Sequence, residues 1–172
     1  MQQNQVIQSV TYILCGALLQ MFTGIGDSWA GSLAAIFGFI IFLNGLGQLK
    51  TGLDETGQGA VSLLTIGAII GAASALFSMI PILGMLGGIG FIIAFGLELF
   101  GLLKLRSSSS IGEIGKDGSM LLIIAMGLAI LTAIIGMVPF VGGFFASFIA
   151  LTALILVFYG WLKVQRGLLA NA

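Results

Sequence analysis

Six apolar stretches of about twenty residues follow one another along this chain. They run roughly over 6–25, 30–49, 60–80, 82–103, 119–138 and 141–162. Each is long enough to cross a hydrocarbon core of about 30 Å as a helix. Inside lipid every backbone polar group must be paired within the protein, which leaves helices or a closed barrel. The period-two alternation of a barrel strand is absent, so the spacing predicts an all-α integral membrane protein with six transmembrane helices. Charge agrees with this. Only 7% of the 172 residues are charged, against about 25% in a soluble domain.

Glycine sharpens the picture. The chain holds 27, about twice the usual share of roughly 7%. Small residues let membrane helices approach closely. Small-xxx-small patterns such as Gly67-xxx-Gly71-xxx-Ala75 and Gly142-xxx-Ala146-xxx-Ala150 are expected to pack helices within the chain. Assembly into a homo-oligomer or a larger membrane complex is the further expectation.

The basic residues set the expected orientation. Lys50, Lys104, Arg106, Lys116, Lys163 and Arg166 are the whole set, and with six spans all fall on the face that carries both termini. The positive-inside rule then places the N- and C-termini in the cytoplasm, in a cell (inner) membrane. Trp29 and Trp161, near opposite ends of their segments, are expected to be membrane-interface anchors.

The chain also repeats. Segments two, four and six end in Gly47-Gln48-Leu49-Lys50, Gly101-Leu102-Leu103-Lys104 and Gly160-Trp161-Leu162-Lys163. Met79-Ile80-Pro81 and Met137-Val138-Pro139 precede segments four and six. The unit is a two-helix hairpin, present three times at about 5–52, 57–106 and 117–166 of one transmembrane domain covering 1–172. The layout, with Pro81, Gly96 and Gly101 in the second unit and Pro139 and Gly160 in the third, resembles the HdeD-like acid-resistance membrane proteins. That resemblance implies short hairpin repeats over six spans and a role in stress tolerance. The first unit departs from it, with Trp29 and no proline.

Inventory removes most chemistry. The chain has no His and one Cys, so His-based acid–base catalysis, a Cys–His pair and an intrachain disulfide are excluded. The six basic residues are scattered in ones and twos, which gives nucleic acid no electrostatic footprint. No catalytic, cofactor-binding or metal-binding residue is expected; the partner is the lipid bilayer.

One residue stands out against this background. Glu98 lies inside the fourth segment, six residues before Lys104 and so about 9 Å from it along a helix. An acid at a helix centre costs about 2.5–3.5 kcal/mol on insertion scales, and such residues usually face the bundle interior or a wet cavity. Aligning Gly47, Gly101 and Gly160 places Asn44 and Val157 opposite Glu98. The expectation is an intramembrane polar cluster of Glu98 and Asn44, joined by Tyr12, Thr65 and Tyr159. Two functions fit. One is a non-enzymatic membrane protein with a stress-response, subunit or scaffold role, in which a protonated Glu98 ties helices together. The other is a proton- or cation-linked channel or transporter that uses the Glu98 carboxyl.

Overall fold

The computed structural model describes residues 3–21, 29–139 and 142–171, without the side chains at 21, 29–32 and 81. The expected anchor Trp29 therefore lies, as a side chain, outside the described residues. Among the described residues six α-helices form: α1 (Gln3–Met21), α2 (Trp29–Lys50), α3 (Glu55–Ser78), α4 (Gly84–Arg106), α5 (Gly112–Gly136) and α6 (Gly142–Ala170). A 3-10 turn, Pro81–Leu83, leads into α4. Proline suits that position, because its fixed φ is preset for a helical start and its missing N–H would have had no partner there.

Five of the helices, α2 to α6, are long and apolar enough to cross a membrane, the make-up of a multi-pass membrane protein. Over its described residues the helix α1 does not meet the same measure. Its 19 residues QNQVIQSVTYILCGALLQM carry Gln and Asn over the first turn, and Gln8, Ser9 and Thr11 beyond it. Several helices also overrun the apolar segments at the basic end. Glu55–Gly59, Gly112–Gly118 and Lys163–Ala170 are all helical. Their charged residues stand on exposed or half-exposed faces, where a helix in water tolerates them.

Each helix packs most extensively on one neighbour: α1 on α2, α3 on α4, α5 on α6. Lighter contacts α2–α3, α4–α5 and α1–α6 close the six into a ring. Within each close pair the backbones touch where a side chain is missing. A Cβ on Gly118 would meet the Gly160 carbonyl oxygen at 2.5 Å and the Val164 nitrogen at 2.8 Å. One on Gly45 would meet the Ile13 nitrogen at 2.7 Å, and one on Gly101 the Leu64 side chain at 2.9 Å. These contacts run in opposite directions along the two partners, so each pair is antiparallel.

The core occupies only half of the bundle. Its fully buried members include Val6, Val10 and Ile13 of α1, Leu46 and Leu49 of α2, Val61 of α3, Leu105 of α4 and Val164 of α6. All lie toward the end that bears the lysines and arginines. Toward the other end the apolar side chains are exposed, as at Ile82, Met85, Met137 and Phe144. Thus the three pairs meet tightly at the basic end and separate beyond mid-depth.

A polar knot fastens the basic end. Asp54 caps α3, accepting the Gly57 N–H at 2.9 Å. The same carboxylate oxygen accepts a short hydrogen bond from the Ser108 hydroxyl. Its other oxygen accepts from the Ser109 N–H at 3.0 Å and the Ser109 hydroxyl at 2.8 Å. The Asp54 N–H donates to the Ser110 hydroxyl at 2.8 Å. From the end of α6, the Asn171 amide donates to the Ser109 and Ser110 carbonyls, each at 3.4 Å. One carboxylate thereby joins both linkers, and Asn171 adds the C-terminal helix. The serine run that follows α4 is held in place; Ser108 is fully buried. Beside it Gly112 takes a φ of +56°, a left-handed turn that glycine adopts without steric cost. Partial burial pulls the Asp54 carboxyl upward, but the bonds from Ser108, Gly57 and Ser109 outweigh it and hold the group well below the usual carboxylate range.

Two outcomes follow for stability. Gly118→Val forces the α5 and α6 backbones apart and is expected to cost about 1–3 kcal/mol, as overpacking does. Gly127→Ala, where an added Cβ meets nothing within 4 Å, should stay within about 0.5 kcal/mol. Denaturant unfolding in micelles, followed by circular dichroism, compares the two. Asp54→Ala removes a helix cap and strands the buried Ser108 hydroxyl, at a cost of about 1–3 kcal/mol at pH 7. The folded carboxyl sits below its unfolded value of about 3.9. Its contribution is therefore complete above that pH and fades as pH falls below it. The melting-temperature gap between wild type and Asp54→Ala should narrow on acidification below about pH 4.

Candidate functional site

Three positions in the ring share one environment. A Cβ on Gly45 would meet the Ser9 carbonyl and Ile13, one on Gly101 the Ala60 carbonyl and Leu64, one on Gly160 the Gly118 carbonyl and Leu122. In each case the partner helix offers a backbone oxygen and a branched side chain four residues later. The residues that follow are buried in step: Leu46, Leu102 and Trp161 directly after, Leu49, Leu105 and Val164 four after. The structural register therefore pairs Gly45, not Gly47, with Gly101 and Gly160. Gly47 has nothing near it. The sequence alignment slipped by two because α2 runs two residues further past the core before its lysine.

This register changes what stands opposite Glu98. Three residues before the glycines are Phe42, Glu98 and Val157, and all three line one cavity of about 160 Å³ in the middle of the bundle. Leu102, Trp161, Leu64 and Leu122 line it as well. Trp161 is 5% exposed and belongs to the core. The expected interface anchor is instead packed inside, because the repeated slot after the glycine points inward.

The other expected members of a polar cluster sit apart from Glu98. Asn44 is exposed and accepts a hydrogen bond from Gln48 at 3.3 Å. Tyr12 accepts one from Gln8 at 2.8 Å. Thr65 donates to the Val61 carbonyl of its own helix at 2.8 Å. Tyr159 is half exposed, with the Lys163 ammonium 5.8 Å from its ring centre. None of the four lines either cavity that Glu98 lines.

Glu98 itself is half buried. Among the described residues its carboxyl has no hydrogen-bond or ion-pair partner. It lines a second, larger cavity of about 610 Å³ between α4 and α5, with Phe91, Phe95, Met126, Ala129 and Ala133. That cavity extends from Glu98 toward the end where the helix pairs separate. On the basic side the buried residues Leu46, Leu102 and Trp161, then Leu49, Leu105 and Val164, close the bundle. The carboxyl thus stands where the packed core ends and open space begins. Such a group can bind or release a proton, or pair with a cation that reaches it through the larger cavity. A hard metal ion is poorly served. Ca²⁺ takes six to eight oxygens, and among the described residues no three His, Cys, Asp or Glu converge.

The basic side chains stand at the closed end. Lys116 pairs with Glu113 at 2.7 Å and Lys163 with Asp117 at 3.4 Å, both solvent-accessible and so of small energetic weight. Comparison of the chain with family models, with curated proteins and with solved structures finds no match.

Proposed function

We propose that the chain is a non-enzymatic, six-span membrane protein whose working centre is Glu98, a carboxyl that takes up and releases a proton or a cation within the bilayer. The observation that carries this reading is the position of that carboxyl: without a partner among the described residues, and shared by the two cavities at the depth where the core stops. A buried acid that served only to tie helices together would be expected to have a partner, because an unsatisfied polar group in an apolar site costs about 1–3 kcal/mol. In this reading the closed basic end and the open opposite end are one state of an exchange cycle.

The architecture belongs to the same proposal. Three tandem helical hairpins, about 5–52, 57–106 and 117–166, surround a common middle, and the recurring burial after Gly45, Gly101 and Gly160 supports that repeat. Six spans put both termini with all six basic residues, which supports a cytoplasmic location for N and C in a cell membrane. A fluorescent protein that folds only in the cytoplasm, fused after Ala172, should then be bright; a dark but full-length fusion reverses the orientation.

A second reading is a membrane-embedded subunit or scaffold, with stress tolerance as the setting that the HdeD-like layout implies. It is favoured by the exposed apolar faces of α4 and α6, where Ile92, Phe100, Phe144 and Phe148 could seat other membrane helices or a second copy. Flux separates the two readings. Purified protein in vesicles loaded with a pH-sensitive dye should dissipate an imposed proton gradient, alone or against Na⁺ or K⁺. Glu98→Gln should lower that rate at least tenfold while circular dichroism stays that of the wild type. Equal rates in wild type and Glu98→Gln would overturn the exchange reading and leave the scaffold.

A further inference from the structure

The larger cavity is far bigger than a proton needs, and its walls are wrong for a hydrated metal ion. Phe91, Phe95 and Glu98 follow one another at spacings of four and three, so they share one face of α4, and all three line the cavity. The opposite wall is aliphatic. Met126, Ala129 and Ala133 of α5 recur at three and four beside Ile130, and Gly71 of α3 adds no side chain at all. Aromatic rings on one side and aliphatic side chains, two of them alanines, on the other leave about 610 Å³, within the roughly 300–1,000 Å³ of small-molecule sites. One carboxyl at the inner end is the only ionisable group among the lining residues.

We infer that this cavity binds a monovalent organic cation with an apolar body, its charge held by Glu98 and by the rings of Phe91 and Phe95. The inference rests on the reading of Glu98 as the working centre and names its substrate class. Each part of the wall then has a use. A carboxylate and aromatic faces attract a cationic head, aromatic rings being the usual seat of quaternary ammonium groups. Alkyl and methyl surface receives the body, which partitions into the bilayer and enters from the side where the helix pairs separate. A bare Na⁺ or K⁺ would find one carboxyl and no further oxygen side chain. An anion or a neutral amphiphile would leave the Glu98 charge unmatched.

Tetraphenylphosphonium is a suitable probe, and tetraphenylborate is its anionic counterpart of the same shape. Radiolabelled tetraphenylphosphonium should bind the full chain in nanodiscs saturably, near one per chain. Glu98→Gln and the cavity-filling Ala129→Phe should each weaken binding at least tenfold, and tetraphenylborate should not displace the cation. If Ala129→Phe does not fold, the Glu98→Gln comparison and the tetraphenylborate competition on wild type still decide. Binding of both ions alike, indifferent to Glu98→Gln, would identify an apolar groove for acyl chains and overturn the inference. So would the absence of saturable binding by wild type. Either result beside Glu98-dependent proton flux removes the substrate class and leaves the exchange reading standing. Glu98-dependent cation binding without flux supports the substrate class and removes the exchange reading.

Discussion

The close approach of two helix backbones at a glycine is the contact on which the rest of this molecule depends. In lipid, helices gain little from burying apolar surface against each other, since acyl chains are equally apolar. What remains is van der Waals contact and its geometry. Gly118 and Gly160 remove the side chains that would hold α5 and α6 apart, and Gly45 and Gly101 do the same in the other two pairs. The closeness has a positional consequence. It fixes the rotation of α2, α4 and α6 about their own axes, so the residue after each glycine turns inward and the residue three before it faces the middle. Leu46, Leu102 and Trp161 then fill the basic end, and Phe42, Glu98 and Val157 meet around a common cavity. Moving a glycine would rotate a helix and take the carboxyl out of the centre.

The helical class and most spans were legible because they follow from bulk quantities: charge content, segment length and the demand for internal backbone pairing. The finer register was not. The Gly-x-x-Lys endings of α4 and α6 invite an alignment on lysine, yet lysine is placed by the water boundary whereas glycine is placed by the partner helix. In α2 those two constraints differ by two residues, and Asn44 was drawn into a site that Phe42 occupies. Trp161 misleads for a related reason. Indole near a segment end fits an interfacial belt, and only the glycine contact beside it reveals that it points inward. The Asp54 knot could be half seen: an Asp just ahead of a helix is an N-cap signal. Its union with a serine run more than fifty residues away is tertiary, and no local pattern announces it.

The two ends of the bundle are built by different chemistry. At the basic end, packed aliphatic layers and a charged hydrogen-bond knot act together. The knot gathers the α2–α3 linker, the α4–α5 linker and the end of α6, one element from each helix pair or its junction. An ionised Asp54 with its acceptors filled is hard to disrupt, so the end it closes is the stiff one. At the other end the apolar side chains are exposed. If the three pairs rock against one another, the pivot belongs at the basic end and the amplitude at the opposite one.

Glu98 sits where the packed core gives way to open space, and it is the one acid among three equivalent inward positions. Three equivalent inward positions could have held three acids. Like charges so close together would raise the cost of ionising each of them, which would oppose the exchange proposed for Glu98. Phe42 and Val157 avoid this and also keep water from crowding the middle. Their asymmetry matters for access too. The larger cavity lies between α4 and α5, with Gly71 of α3 in its wall, so it reaches the carboxyl from one side of the ring. The recurring glycine contacts supply the closed end and the common centre; one of the three equivalent positions supplies the carboxyl, and the small residues of α5 and α3 open the space beside it.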